Sequence, residues 1–174
     1  MLRHGEFAYF AYGSNMSVER LTDRTPSARV LSSGFLPGYK LAFDKISRDG
    51  SGKCDCELTG DDNDKVYGVV FAVADIERNA LDRAEGAGSG YEPCSVEIET
   101  DGGIISAMTY VATNKRAGLS PYHWYKHHVL AGARQAGLPA AYIASIEAVA
   151  SIDDLNEARA AREGRIYSGK AIEW

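Results

Sequence analysis

Few side chains of this 174-residue sequence stand where their type and spacing suggest chemistry. Glu85 is one. It closes a segment in which Ile76, Ala80, Leu81 and Ala84 recur at helical spacing, and Gly86 follows as a stop signal. A carboxylate in the last helical turn faces the negative end of the helix dipole, which disfavours its ionised form and suits a general base. The plain alternative is a solvated glutamate ahead of a helix cap. The stretch Tyr12-Gly13-Ser14-Asn15 is the second place. It joins a strand-like run to a helical one, so its backbone N–H groups could hold a carboxylate or an oxyanion; otherwise it is a tight turn. Neither Gly-x-x-x-x-Gly-Lys nor Gly-x-Gly-x-x-Gly occurs there, which removes the usual nucleotide-phosphate signatures.

Other chemically capable residues lack partners. His123 and His127 share a helical face, but Trp-Tyr-Lys separates them and no third ligand is evident. Cys54-Asp55-Cys56 puts two thiols on one face of a strand with no second pair to complete a zinc site. No metal is assigned. Ser14 sits outside any Gly-x-Ser-x-Gly elbow, so a serine hydrolase is a poor fit. Tyr110 and Tyr125 read, on spacing alone, as core or rim aromatics.

The elements that must position these groups follow from the hydrophobic pattern. Phe7 to Tyr12 is a continuous apolar run and reads as a strand buried on both faces. Met16, Val18 and Leu21 then turn helical, bounded by Pro26. Ala28 to Leu36 and Leu41 to Ile46 read as strands on either side of Pro37-Gly38, Ser47 to Lys53 as a polar loop, and Val66 to Ala74 as another strand. Asp75 is the expected N-cap of the helix ending at Glu85. Cys94 to Thr100 and Ile104 to Ala112 predict a hairpin around Asp101-Gly102-Gly103. Ser120-Pro121 is the expected N-cap and first position of a helix carrying Trp124, His128 and Val129 and stopping at Gly137, and Leu138-Pro139 opens another to about Val149. Asp153 to Arg165 reads as a solvated helix or a frayed tail.

Strands fill the first two-thirds and helices the last third, which predicts an α+β fold with a mostly antiparallel or mixed sheet around one core. One domain over residues 1–150 is expected, with residues 151–174 as a charged C-terminal helix or tail. Hydrophobic residues at 45% and charged residues at 25% are ordinary for a globular chain. A net charge of −5 with no long basic run argues against a nucleic-acid partner. The three cysteines are too few and too odd in number for a disulfide framework, and no apolar stretch is long enough for a signal peptide or a membrane span. A soluble, cytoplasmic protein is expected.

Taken in order, Tyr9-Phe10-Ala11-Tyr12-Gly13-Ser14-Asn15-Met16, Val66-Tyr67-Gly68-Val69-Val70-Phe71 and Leu81-Asp82-Arg83-Ala84-Glu85-Gly86 resemble the γ-glutamylcyclotransferase family. Ser89-Gly90-Tyr91, Tyr110 to Asn114, Leu119-Ser120-Pro121, Tyr125-Lys126 and Gly137-Leu138-Pro139 continue the resemblance, which covers residues 7 to about 149. It implies a small mixed barrel-like sheet flanked by helices. It also implies conversion of a γ-glutamyl amide into 5-oxoproline and a free amine or amino acid, with no cofactor and no metal. The family's acid/base glutamate falls on Glu85, its substrate-cradling loop on Tyr12, Gly13, Ser14 and Asn15, and its two cavity tyrosines on Tyr110 and Tyr125. His123 and Trp124 fall in a stretch longer than the family's usual one. One alternative is a cyclotransferase specialised for glutathione or for a biosynthetic γ-glutamyl tag; glutathione-specific relatives generally carry Tyr-Gly-Ser-Leu at the loop, so Asn15 counts against that branch. A module that binds a γ-glutamyl group without turning it over is the other alternative, and retention of Glu85 counts against it. The partner expected is a small γ-glutamyl substrate; the oligomeric state is open, a homodimer being one option.

Overall fold

A computed structural model describes residues 1–167. Seven strands and five α-helices run β1 (Glu6–Ala11), α1 (Val18–Arg24), β2 (Arg29–Pro37), β3 (Tyr39–Ile46), β4 (Gly52–Leu58), β5 (Lys65–Ala74), α2 (Arg78–Glu85), β6 (Tyr91–Thr100), β7 (Gly103–Ala112), α3 (His123–Gln135), α4 (Ala140–Glu147) and α5 (Glu157–Gly164). Five strands close a barrel in the order β1-β5-β2-β6-β7. Its ladders are antiparallel except at the closure, where Tyr9 of β1 lies opposite Met108 of β7 in parallel register. This is the mixed barrel-like sheet expected. Both β1 and β5 are apolar on successive residues, as expected of strands covered on both faces: Phe10, Val70, Phe71 and Val73 are fully buried.

The strands on either side of Pro37-Gly38 do not pair with each other. Instead β3 pairs with β4 as a separate two-stranded sheet, while β2 stays in the barrel between β5 and β6. The polar loop is shorter than expected, since β4 begins at Gly52. Cys54 and Cys56 lie on that strand, and both are buried, as is Asp55 between them. Asp55 accepts from the Ala112 N–H at 2.8 Å and from Lys115 Nζ at 2.8 Å, which explains a carboxylate in the interior.

Two predicted caps move. Asp75 is the first residue of a 3-10 turn that leads into α2 and makes no side-chain cap. The helix expected from Ser120-Pro121 starts at His123, because Tyr122 is held in a parallel bridge to Ile152 that keeps the backbone extended. Within residues 151–167 the chain forms α5 and reaches back to the body. Asp154 accepts from Trp124 Nε1 at 2.8 Å and pairs with Arg159, and Glu163 pairs with Arg20 of α1 at 2.5 Å. Residues 168–174, the end of the expected charged tail, lie outside the described residues. Among the described residues no helix is long and apolar enough to cross a membrane.

Candidate active site

The loop after β1 is shaped by its own turn and by the helix beneath it. Ser14–Met16 form one 3-10 turn closed by Met16 N–H to Gly13 O at 3.0 Å, and Ser17 then caps α1 by accepting from the Arg20 N–H. Helix α3 packs directly against this turn at Gly132. A Cβ there would stand 2.4 Å from the Met16 carbonyl carbon and 2.4 Å from the Ser17 nitrogen, so only glycine permits the approach. The loop is thus clamped between the barrel and α3, with Ser14, Asn15 and Met16 buried. The Ser14 and Asn15 N–H groups meet no backbone acceptor among the described residues.

Glu85 arrives from the other side of the site. Helix α2 is anchored by Leu81, which is fully buried, and ends where Gly86 takes the left-handed conformation at φ 69°. The Gly86 N–H then bonds back to the Asp82 and Arg83 carbonyls and the Ala87 N–H to Asp82 O, closing the helix as the sequence predicts.

These two pieces meet in a cleft of about 290 Å³, lined by Tyr9, Tyr12, Gly13, Ser14, Asn15, Cys54, Glu85, Tyr91, Tyr110 and Tyr125. All seven residues named in the sequence reading are therefore brought together. Asn15 ties them to one another. Its Nδ2 donates to Glu85 Oε1 at 2.5 Å and to the Tyr9 hydroxyl at 3.1 Å, while its Oδ1 accepts from Arg24 Nη1 at 2.9 Å. Arg24 also reaches Glu85 Oε1 at 3.4 Å, so a cation and an amide converge on the same carboxylate oxygen.

The tyrosines form the walls. Tyr12 donates to the Tyr110 carbonyl at 2.5 Å, and the Tyr110 hydroxyl donates to Asp82 on α2, so β1, β7 and α2 are joined at one edge. Tyr91 donates to Cys54 O at 2.5 Å, and the Tyr125 hydroxyl accepts from the Cys54 N–H at 3.0 Å. Burial raises Tyr9, Tyr12, Tyr91 and Tyr125 well above the ordinary tyrosine range, so these hydroxyls stay protonated. Burial also pushes the Cys54 thiol up to about 12. The Tyr125 oxygen accepts from the Cys54 N–H, and its hydroxyl also interacts with the Cys54 thiol.

Sequence reasoning missed Tyr9, Tyr91, Cys54 and Arg24. The first two sit in apolar or turn-flanking segments where a core aromatic and a pocket aromatic look alike. Arg24 reads as a basic residue in the last turn of a helix, and nothing local says that it points at Glu85. His123, weighed as a metal ligand, bonds Ser151 Oγ through Nδ1 at 2.7 Å instead. Among the described residues no cluster of three or more His, Cys, Asp or Glu is placed to hold a metal.

Residues 65–146 match the AIG2-like family. A bovine γ-glutamylcyclotransferase (Bos taurus) is 33% identical over 171 residues, covering 95% of this chain and 90% of the bovine one. The human γ-glutamylcyclotransferase (Homo sapiens) is 34% identical over 149 residues, covering 82% and 78%. Among solved structures, one described as a γ-glutamyl cyclotransferase superposes with a TM-score of 0.80 at 30% identity, covering 90% of this chain and 99% of that one. By sequence over most of its length and by fold, this chain belongs to the γ-glutamylcyclotransferase family.

Proposed function

We propose that this protein is a γ-glutamylcyclotransferase, cyclising a γ-glutamyl amino acid or amine to 5-oxoproline and releasing the amino acid or amine. The observation that carries the reading is the meeting of one carboxylate, Glu85, with the Ser14–Asn15 turn in a cleft that holds no activated protein nucleophile. Cys54, the thiol in the wall, is kept protonated by burial and does not attack. A reaction whose nucleophile belongs to the substrate needs only a base, donors and a shape.

The substrate's α-nitrogen attacks its own γ-carbonyl carbon, forming the ring C–N bond, and the bond from that carbon to the departing nitrogen breaks. The α-ammonium gives up two protons on becoming a lactam N–H, and the leaving nitrogen gains two on becoming an ammonium. Glu85 takes a proton from the attacking nitrogen and returns one to the leaving nitrogen; solvent balances the other. Asn15 and Arg24 hold the carboxylate in place for both transfers. Backbone N–H groups of Ser14 and Asn15 supply donors for the substrate carboxylate or the developing oxyanion, and Tyr125 forms part of the wall beside them. Holding nucleophile and electrophile of one molecule in a folded shape supplies much of the acceleration, a contribution that reaches about 7–11 kcal/mol in favourable systems.

The test is direct. Purified protein is incubated with γ-glutamyl-alanine and a panel of γ-glutamyl amines, and 5-oxoproline is measured. Formation from at least one of them is expected; its absence from all of them refutes the assignment. Cytoplasmic residence goes with this reading and is supported by the three cysteines, which are all unpaired.

A further inference from the structure

A second, larger cleft shares Glu85 with the first. About 830 Å³ in extent, it is lined by Lys45, Ile46 and Arg48 from the end of β3 and its loop, by Arg83 and Glu85 from α2, and by Ser89 and Asn114. Lys45 is only 9% exposed, yet its ammonium meets no carboxylate and no hydrogen-bond acceptor among the described residues. Its nitrogen lies 4.7 Å from the centre of the Tyr91 ring, and its chain runs over Gly90, where a Cβ would stand 3.0 Å from Lys45 Cε. The glycine-rich segment after α2 thus leaves room for this side chain. Arg48 and Arg83, both exposed at the rim, have no acidic partner either; Arg48 only reaches Ser89 Oγ at 3.3 Å. In a chain of net charge −5, this cleft gathers three cations without a carboxylate bonded to any of them. Glu85 and Asp49 are the acidic groups near Lys45, but neither bonds it: Glu85 Oε1 is engaged by Asn15 and Arg24, and Asp49 by Ser51 and Lys53.

Building on the cyclotransferase reading, we propose that this cleft is the leaving-group subsite and that it selects departing amines bearing two carboxylates, that is, γ-glutamyl conjugates of acidic amino acids. The two clefts share Glu85, so a γ-glutamyl group seated against the Asn15 turn directs its departing nitrogen toward Lys45. A neutral amino acid brings one carboxylate beside that nitrogen, which the buried Lys45 takes. Arg48 and Arg83 stand further out, where a side-chain carboxylate extends, and their forked donors match it. Desolvating an ammonium at Lys45 is costly unless an anion arrives, which makes the site discriminate by charge.

The experiment compares kcat/KM for γ-glutamyl-glutamate and γ-glutamyl-glutamine, which differ by one charge at nearly constant shape. A preference of about tenfold for the glutamate conjugate is expected. It should shrink in high salt, and charge reversal by Arg83→Glu on the exposed rim should invert it. Equal kcat/KM for the two conjugates overturns the subsite while leaving the reaction intact. If neither conjugate nor γ-glutamyl-alanine yields 5-oxoproline, the reaction assignment fails, and calorimetry with the same two dipeptides then decides the subsite: tighter binding of the glutamate conjugate supports it, equal binding overturns it.

Discussion

Asn15 and Glu85, separated by 70 positions in sequence, share a hydrogen bond of 2.5 Å in which the amide of the loop donates to the carboxylate of the helix end. The same amide donates to Tyr9 and accepts from Arg24, so a single side chain sets the position of the proposed base relative to the turn. Replacing Asn15 with Leu should therefore lower kcat on γ-glutamyl-alanine by about 10²-fold, the scale of a misplacement near 1 Å, with a smaller change in KM. Steady-state kinetics check this, and an unchanged kcat would mean that the bond does not orient the base.

Removal of the proposed base is a cleaner case. Glu85→Gln keeps the shape and an acceptor oxygen but cannot take the proton, so kcat should fall by about 10²- to 10⁴-fold. Binding should survive, because the tyrosine walls and the Ser14–Asn15 turn are untouched. Calorimetry with γ-glutamyl-alanine measures that survival; turnover equal to the parent's would place the proton transfer elsewhere.

Most of the barrel was legible because a buried strand writes itself as a continuous apolar run, as at Phe7 to Tyr12 and Val66 to Ala74. Pairing was not legible to the same degree. Nothing in Pro37-Gly38 says that β2 and β3 part company, since the partner of each strand lies far away in sequence. The start of α3 failed for a related reason: Ser120-Pro121 is a good local signal that the bridge from Tyr122 to Ile152 overrides. In the site, Glu85 and the Tyr12–Asn15 loop stood out through glycine punctuation and motif order. Arg24 did not, because its role depends on how α1 and α2 lie against each other.

The clamp between α3 and the loop rests on the missing side chain of Gly132. Gly132→Ala forces a methyl group onto backbone atoms of Met16 and Ser17 that lie 2.4 Å away and cannot swing aside. A loss of about 1–3 kcal/mol is expected from the overpacking. In a chain of this size that lowers Tm by about 3–9 °C, readable by calorimetry. Because the displaced backbone is the turn proposed to cradle the substrate, KM for γ-glutamyl-alanine should rise as well. A variant with native Tm and KM would show that the helix and loop can separate without consequence.

Stability should also depend on pH through His128, which is fully buried beneath α5. Arg20 can only donate, so the His128 Nε2, 3.1 Å from Arg20 Nη1, accepts from it, leaving Nδ1–H to donate to the Tyr167 hydroxyl at 2.7 Å. Tyr167 in turn donates to Ser17 Oγ at 3.2 Å, the cap of α1. In this arrangement the imidazole is neutral; Glu163 Oε2, 3.2 Å from the same Nε2, favours its protonation and accepts a hydrogen bond from it once the ring is charged. Burial, with the Arg20 charge adding to it and Glu163 opposing, takes His128 down to about 4 from its ordinary 6.5. In the unfolded chain the imidazole binds a proton below about 6.5, whereas in the folded one it does so only below about 4. The stability contribution is thus complete above pH 6.5 and is lost progressively as the pH falls toward 4, by about 3 kcal/mol in all. Glu163 extends the loss to lower pH. Burial raises its pKa, but the His128 contact and Arg20 outweigh that and hold it near 2, so its contribution fades from about 4.5 downward. Urea unfolding at intervals between pH 7 and pH 4.5 measures the slope, and His128→Gln, which cannot charge, should flatten it. An equal slope in the variant would assign the acid sensitivity to other groups.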